Sequence, residues 1–172
     1  PDARPGRTCH DPARGRARAR TSVDVGRTFT APQRVSEDRW AIDGCPENGP
    51  SVAFHAGRLH LAWPTVVGGH EPAGAIFYAS ARDGSGFSPR VRVPALAGRD
   101  PEHVQIAGAK ADRLIVAWDE VVEGKRTVVA SRLQLTAGGA TAGAPTVVTA
   151  GRQARHPALT PAVLVGLQRL GL

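Results

Sequence analysis

The chain has 172 residues, 22 Lys and Arg against 15 Asp and Glu for a formal charge of +7, and 41% hydrophobic residues. No apolar run approaches the roughly 20 residues of a membrane-spanning helix, and no stretch reads as a signal peptide. The charge does not point to nucleic acid: six Arg against two Asp place +4 in residues 1–20, the remaining +3 is scattered, and no nucleic-acid module is recognisable. Of the 22 cations 20 are Arg, which with the many Ala, Gly and Pro reads as the imprint of a GC-rich genome rather than of phosphate binding.

From the N-terminus, residues 1–20 carry no strand periodicity and read as an irregular Arg-rich stretch, although a strand is expected before Ser22. Ser22-Val23-Asp24-Val25-Gly26-Arg27-Thr28-Phe29 is a tight-turn signature. Ser22 and Asp24 can hydrogen-bond the downstream backbone, Gly26 accepts a positive φ, and Phe29 is expected to fold back and cover the turn. A degenerate copy follows at residues 80–87. It keeps Ser80, Gly84 and Phe87, but Arg82 stands where the Asp belongs and Asp83 comes one place late.

Two runs, Leu59-His60-Leu61-Ala62-Trp63 and Leu114-Ile115-Val116-Ala117-Trp118, are one strand written twice at a period of 55 residues. They anchor two units of four strands, the first predicted at 51–54, 58–65, 75–80 and 90–94, the second at 103–107, 113–119, 126–135 and 145–149. The second strands are apolar on both faces, as in a sheet packed on two sides. The Gly- and Ala-rich turn at 136–143 has lost the aromatic, and Val163-Leu164-Val165-Gly166-Leu167 reads as a damaged third copy of the strand. A repeat near 50 residues with four strands per unit is the pattern of β-propeller blades.

The turn resembles the Asp box, Ser-x-Asp-x-Gly-x-Thr-Phe/Trp, of the sialidase (BNR-repeat) superfamily, with Ser22, Asp24, Gly26, Thr28 and Phe29 at its defining positions and Ser80, Asp83, Gly84 and Phe87 in the second copy. The segment Trp40-Ala41-Ile42-Asp43-Gly44-Cys45-Pro46-Glu47-Asn48-Gly49-Pro50 is similar to the Trp-x-Ile-x-Gly-Cys-Pro-x-Asn-Gly-Pro segment of bacterial exported proteins described as exo-α-sialidase-like. This resemblance spans about residues 21–149. It implies an all-β fold, about three blades of a six-bladed propeller, and a periplasmic or extracellular location with the signal peptide encoded elsewhere. Rings close with four to eight blades, so the chain is expected to be a fragment of a longer protein or to associate with itself through open blade faces. Residues 150–172 are expected to start a further, degenerate blade, and one reading of both ends is translation out of the native frame.

The Asp-box turns are expected to staple each blade on the face away from any ligand. The opposite face is formed by loops at about 37–50, 64–74, 95–102, 119–125 and 150–155, and these supply the candidate binding residues Arg39, Trp40, Glu47, Asn48, Arg99, Asp100 and Arg155. Arg39, Arg99 and Arg155 each precede an inner strand. By the resemblance, three such arginines would hold a substrate carboxylate through bidentate guanidinium pairs. Trp40 beside Glu47 and Asn48 suits sugar recognition by stacking and hydrogen bonds; the competing reading is a rigid crossover with Trp40 covering it.

A catalytic set is not identified. Sialidases use a Tyr nucleophile, and the one tyrosine, Tyr78, falls mid-strand, where packing is its expected role. Asp100, Glu102, Asp119 and Glu120 offer carboxylates, but their spacing selects no pair. His60, His103 and His156 fall in or beside strands and His70-Glu71 in a loop, none with a metal-ligand spacing. Cys9 and Cys45 are too few and too far apart for a metal motif, and their pairing stays open. The sequence therefore predicts no cofactor and no metal. The expected function is glycan or protein binding without catalysis, the alternative being part of an exo-α-sialidase-type glycoside hydrolase whose catalytic residues lie in other blades.

Overall fold

A computed structural model of the protein describes residues 18–36, 48–67, 73–82, 86–96, 100–149 and 153–159. Every regular element among them is a β-strand. The chain divides into two compact units, Pro1–Glu47 and Asn48–Leu172.

In the first unit β1 (Arg18–Ala19) pairs antiparallel with β2 (Gln33–Arg34). The Ser22–Phe29 turn lies between them. A short strand thus does precede Ser22, inside the stretch that composition alone presents as irregular: six Arg hide it, and the backbone pairing of Arg18 with Arg34 reveals it.

The second unit holds two antiparallel sheets. β3 (Ser51–His55), β4 (Arg58–Val67), β5 (Ala73–Ala81) and β6 (Val91–Val93) follow one another in space as in sequence. So do β7 (Glu102–Lys110), β8 (Arg113–Val122), β9 (Lys125–Thr136) and β10 (Gly139–Ala142), while β11 (Thr146–Val147) pairs with β9 further along the same edge. β4 and β8 begin and end 55 residues apart at both ends, so the sequence period is also a structural one.

Local chemistry sets these elements. The β3–β4 hairpin turns on Ala56 (φ +48°) and Gly57 (φ +69°), and β8–β9 turns on Glu123 (φ +49°) and Gly124 (φ +74°). Two left-handed residues in succession make the tight turn whose twist matches that of the flanking strands. The stretch expected as a loop at 119–125 is therefore mostly strand, because β-branched Val121 and Val122 continue the ladder up to that turn. Pro64 is tolerated in β4 because it lies beyond the last residue paired with β3, where the strand has a neighbour on one side only. The Gly- and Ala-rich region expected as a turn at 136–143 contains β10, and the edge strand breaks at Gly143–Pro145 before β11.

The main core lies between the two sheets. Ala62, Ile76, Tyr78 and Val93 of the first meet Val104, Ile106, Leu114, Val116, Trp118, Val129 and Leu133 of the second. A smaller cluster, Ile115, Ala117 and Ala130 with Ala107, Ala109 and Leu159, covers the far face of the second sheet. Among the described residues, three hydrogen bonds tie the β3 segment to β7, and each joins residues 55 apart. His103 N–H donates to Asn48 Oδ1 (3.0 Å), Ile106 N–H to Ser51 Oγ (3.1 Å), and His55 Nε2–H to the Lys110 carbonyl. Arg58 adds a clamp on the β9–β10 turn through the carbonyls of Thr136 and Ala137.

Candidate functional site

The densest polar arrangement sits at the end of the second sheet where β7 starts, β8 nears its end and β9 starts. A β-bulge builds it. Glu102 pairs with Asp119 and Gln105 with Ala117, so β7 carries one residue more than its partner across this step. His103, inside the bulge, has φ +51°. A bulge re-aims the side chain it carries, and here it brings the His103 imidazole to Asp119.

Asp119 is fully buried and accepts three hydrogen bonds. His103 Nδ1–H donates to Oδ2 (2.8 Å), the backbone N–H of His156 donates to the same oxygen (2.8 Å), and Arg126 Nη1–H donates to Oδ1 (2.7 Å). Arg126 also reaches Glu102 Oε2 through Nη2 (2.6 Å) and the Asp100 carbonyl through Nη1 (3.2 Å). The His103 and His156 rings pack at 3.7 Å between centroids. A buried carboxylate is tolerable only with this kind of charge-assisted satisfaction.

Two chain crossovers meet in this network. Asp100 (φ +45°) precedes Pro101 and His156 (φ +52°) precedes Pro157, so both use a left-handed residue immediately before a proline. Non-glycine residues in that region are uncommon. One crossover is held through the Asp100 carbonyl and the other through the His156 amide. Gly74 on β5 allows the first to pass closely, since a Cβ there would overlap the Pro101 ring.

Of the sequence-predicted ligand residues, the structure brings Asn48 and Asp100 into this end of the fold. Asn48 Oδ1 must accept the His103 amide, which leaves its Nδ2 hydrogens for other partners. Arg155 is exposed in the segment 153–159, next to His156. Arg39, Trp40, Glu47 and Arg99 lie outside the described residues, as do Asp83, Gly84 and the Cys9–Cys45 pair. Sequence reading missed the grouping of Glu102, His103, Asp119, Arg126 and His156. The one available signal was the period itself, which sets His103 opposite Asn48.

Glu102, His103 and Asp119 present one ligand atom each within 4.8 Å of one another. The Arg126 guanidinium already pairs with both carboxylates, and His103 Nδ1 and Asp119 Oδ2 satisfy each other. The set is thus an internally bonded junction rather than an open cage for a cation. With Asp119 holding Nδ1–H, His103 offers Nε2 to a hydroxyl or another polar partner.

The Ser22–Phe29 turn is closed by its own side chains. Gly26 N–H donates to Ser22 Oγ (2.8 Å), Thr28 N–H to Asp24 Oδ1 (2.9 Å) and Thr28 Oγ1–H to Asp24 Oδ2 (2.7 Å). Val25 and Gly26 take positive φ. Phe29 remains 58% exposed, so it does not cover the turn as expected. The hairpin closes with Thr30 N–H to the Thr21 carbonyl and Thr21 N–H to Thr30 Oγ1. Ser88 N–H to the Ser80 carbonyl and Ser80 N–H to Ser88 Oγ repeat that pair around a loop one residue shorter. Counted from the closing residue, Asp83 falls three places after Ser80 as Asp24 does after Thr21. Phe87 is half-buried.

Comparison of the chain with models of protein families, with curated proteins and with solved structures gives no match.

Proposed function

We propose that the chain supplies blades of a sialidase-like β-propeller from an exported protein and binds a glycan without cleaving it. The observation that carries this reading is the state of Tyr78. It is the chain's one tyrosine, it is fully buried between the sheets, and its hydroxyl is bonded to His60 Nδ1 at 2.8 Å. Burial raises its pKa further above the ordinary 10.0, which opposes a nucleophilic phenolate. The carboxylates at the crossover end are engaged with Arg126 and His103, which favours a rigid recognition surface over acid–base chemistry.

The groups suited to recognition are Asn48 Nδ2 and His103 Nε2, each held through its other polar atom, and the exposed Arg155, on one end of the fold. Sugar hydroxyls both donate and accept, so imidazole and amide groups in fixed positions suit them. The test is to screen the purified chain on a glycan array and, in parallel, to incubate it with a fluorogenic sialoside. Glycan binding that falls at least tenfold in Asn48→Ala, with no sialoside turnover, is the expected result. Turnover would replace this reading with the hydrolase alternative, and no binding to any glycan would remove it.

A further inference from the structure

His60 is the one fully buried imidazole among the described residues and takes no part in the crossover end. Its Nε2 lies 3.0 Å from the His55 carbonyl, which can only accept, so Nε2 carries the hydrogen. Nδ1 is then the acceptor, and the Tyr78 hydroxyl donates to it (2.8 Å). Both ring nitrogens are satisfied in the neutral form. His55 continues the chain of bonds: its Nε2–H donates to the Lys110 carbonyl on β7, and its ring lies where a Cβ on Gly108 would sit. The links run from β5 through β4 and β3 to the second sheet.

A proton added at Nδ1 would face the Tyr78 hydroxyl hydrogen. The hydroxyl would have to turn and become the acceptor, and its hydrogen would lose the His60 partner in a core where an unmade hydrogen bond is costly. The new charge would also lack a counter-ion. The groups that face His60 are His55 from β3, Arg58 on its own strand and Tyr78 from β5, none of them acidic. Arg58 directs its guanidinium to carbonyls of the β9–β10 turn, and Lys110 of β7 meets His55 through its backbone carbonyl.

We propose that His60 is an acid-sensitive latch in the core behind the seam between the two sheets: neutral, it accepts from Tyr78 and donates to the His55 carbonyl, and protonated, it reverses the Tyr78 bond and adds an unpaired buried charge beside His55, which weakens the hold of the first sheet on the second. Burial, helped by His55 and Arg58, lowers the folded-state pKa of His60 below the ordinary 6.5, so the direction of the effect follows. The unfolded chain binds this proton more readily. The latch therefore contributes its full stability above pH 6.5 and loses it progressively as pH falls below that value.

The test is urea unfolding of the full chain, followed by tryptophan fluorescence, across pH 7.5 to 5. In the native protein the unfolding constant rises with a component of about tenfold per pH unit below the ordinary histidine range, one proton taken up per unfolding event. His60→Gln keeps a donor and an acceptor but does not titrate, so its proton uptake falls by about one. His103→Gln, at the crossover end of the second sheet, leaves the His60 component in place. Equal uptake in native protein and His60→Gln overturns the proposal. Should His60→Gln fail to fold, an NMR titration of the native His60 ring decides. A depressed midpoint with the Lys110 and Ala111 amides and the Trp118 indole moving in step, while the Thr28 amide stays still, supports the latch. An ordinary midpoint, or a still seam, overturns it.

Discussion

At Asp24 a half-buried carboxylate is held well below its usual range by short-range bonds. The Thr28 hydroxyl is the largest cause, followed by the Thr28 amide and the Ser22 hydroxyl, and together they take the pKa from 3.8 to about 2. Hydrogen bonds to the charged form favour it. The turn's contribution is therefore present above pH 3.8 and is lost as pH falls through about 2. An NMR titration should find the Thr28 amide shifting with a midpoint near 2; a midpoint at the ordinary 3.8 would show that the bonds do not persist in solution. Much of this turn is legible in sequence, because a Ser, an Asp, a Gly and a Thr at fixed offsets each have a partner within eight residues. The Phe29 packing is not, since what covers an aromatic depends on tertiary neighbours that local sequence does not specify. His103 is the stronger case. Nothing in its flanking residues announces a bulge, and Asp119 and Arg126 come to it from other strands.

Among the elements, β4 and β8 are the most readable, since their runs around Trp63 and Trp118 are apolar on both faces. Their ends are read short: β4 continues to Val67 and β8 to Val122. For β8 the hairpin turn accounts for this. Glu123 takes a left-handed conformation with a side chain poorly suited to it, so the sequence looks like an ordinary polar loop. Asn in front of Gly is the favoured pair for such a turn. Glu123→Asn should therefore raise stability by roughly 0.5–1 kcal/mol, measured as an increased urea midpoint with unchanged slope. β10 is invisible in composition, because Gly139, Ala140 and Ala142 carry little strand propensity and Thr141 stands alone among them. Its position follows from the ladder that β9 offers: Gly139 opposes Thr136 and closes a turn of two residues.

At the scale of the whole second unit, the two sheets form one core, and their seam depends on close approach as much as on apolar area. Gly108 is its tightest point. A methyl group there meets the His55 ring, which is itself fixed through Lys110. Gly108→Ala should cost roughly 1–3 kcal/mol by overpacking, a large share of the roughly 5–15 kcal/mol that holds an ordinary domain. Gly138→Ala, where a Cβ meets nothing within 4 Å, should by comparison be nearly neutral in the same denaturation assay. The 55-residue period foretold that two like units would stack. The polar cluster at one end was not foretold, because β7, β8, β9 and the segment 153–159 converge only once the sheets are formed.

The ties from Asn48 to His103, Ser51 to Ile106 and His55 to Lys110 each connect a residue with its own counterpart one period later. A seam of that kind is indifferent to how many units precede or follow it. At each tie the group on β7 is a backbone amide or carbonyl, so repeating residues 48–102 in register would offer all three ties again at the new junction, with Ala53 in the place of Gly108 as the one close contact to relieve, whereas gaining or losing a single residue between β3 and β7 would misalign all of them. Such an architecture can change length by whole units through unequal recombination without a new interface having to arise, and its genes should tolerate copy-number change far better than a one-codon slip.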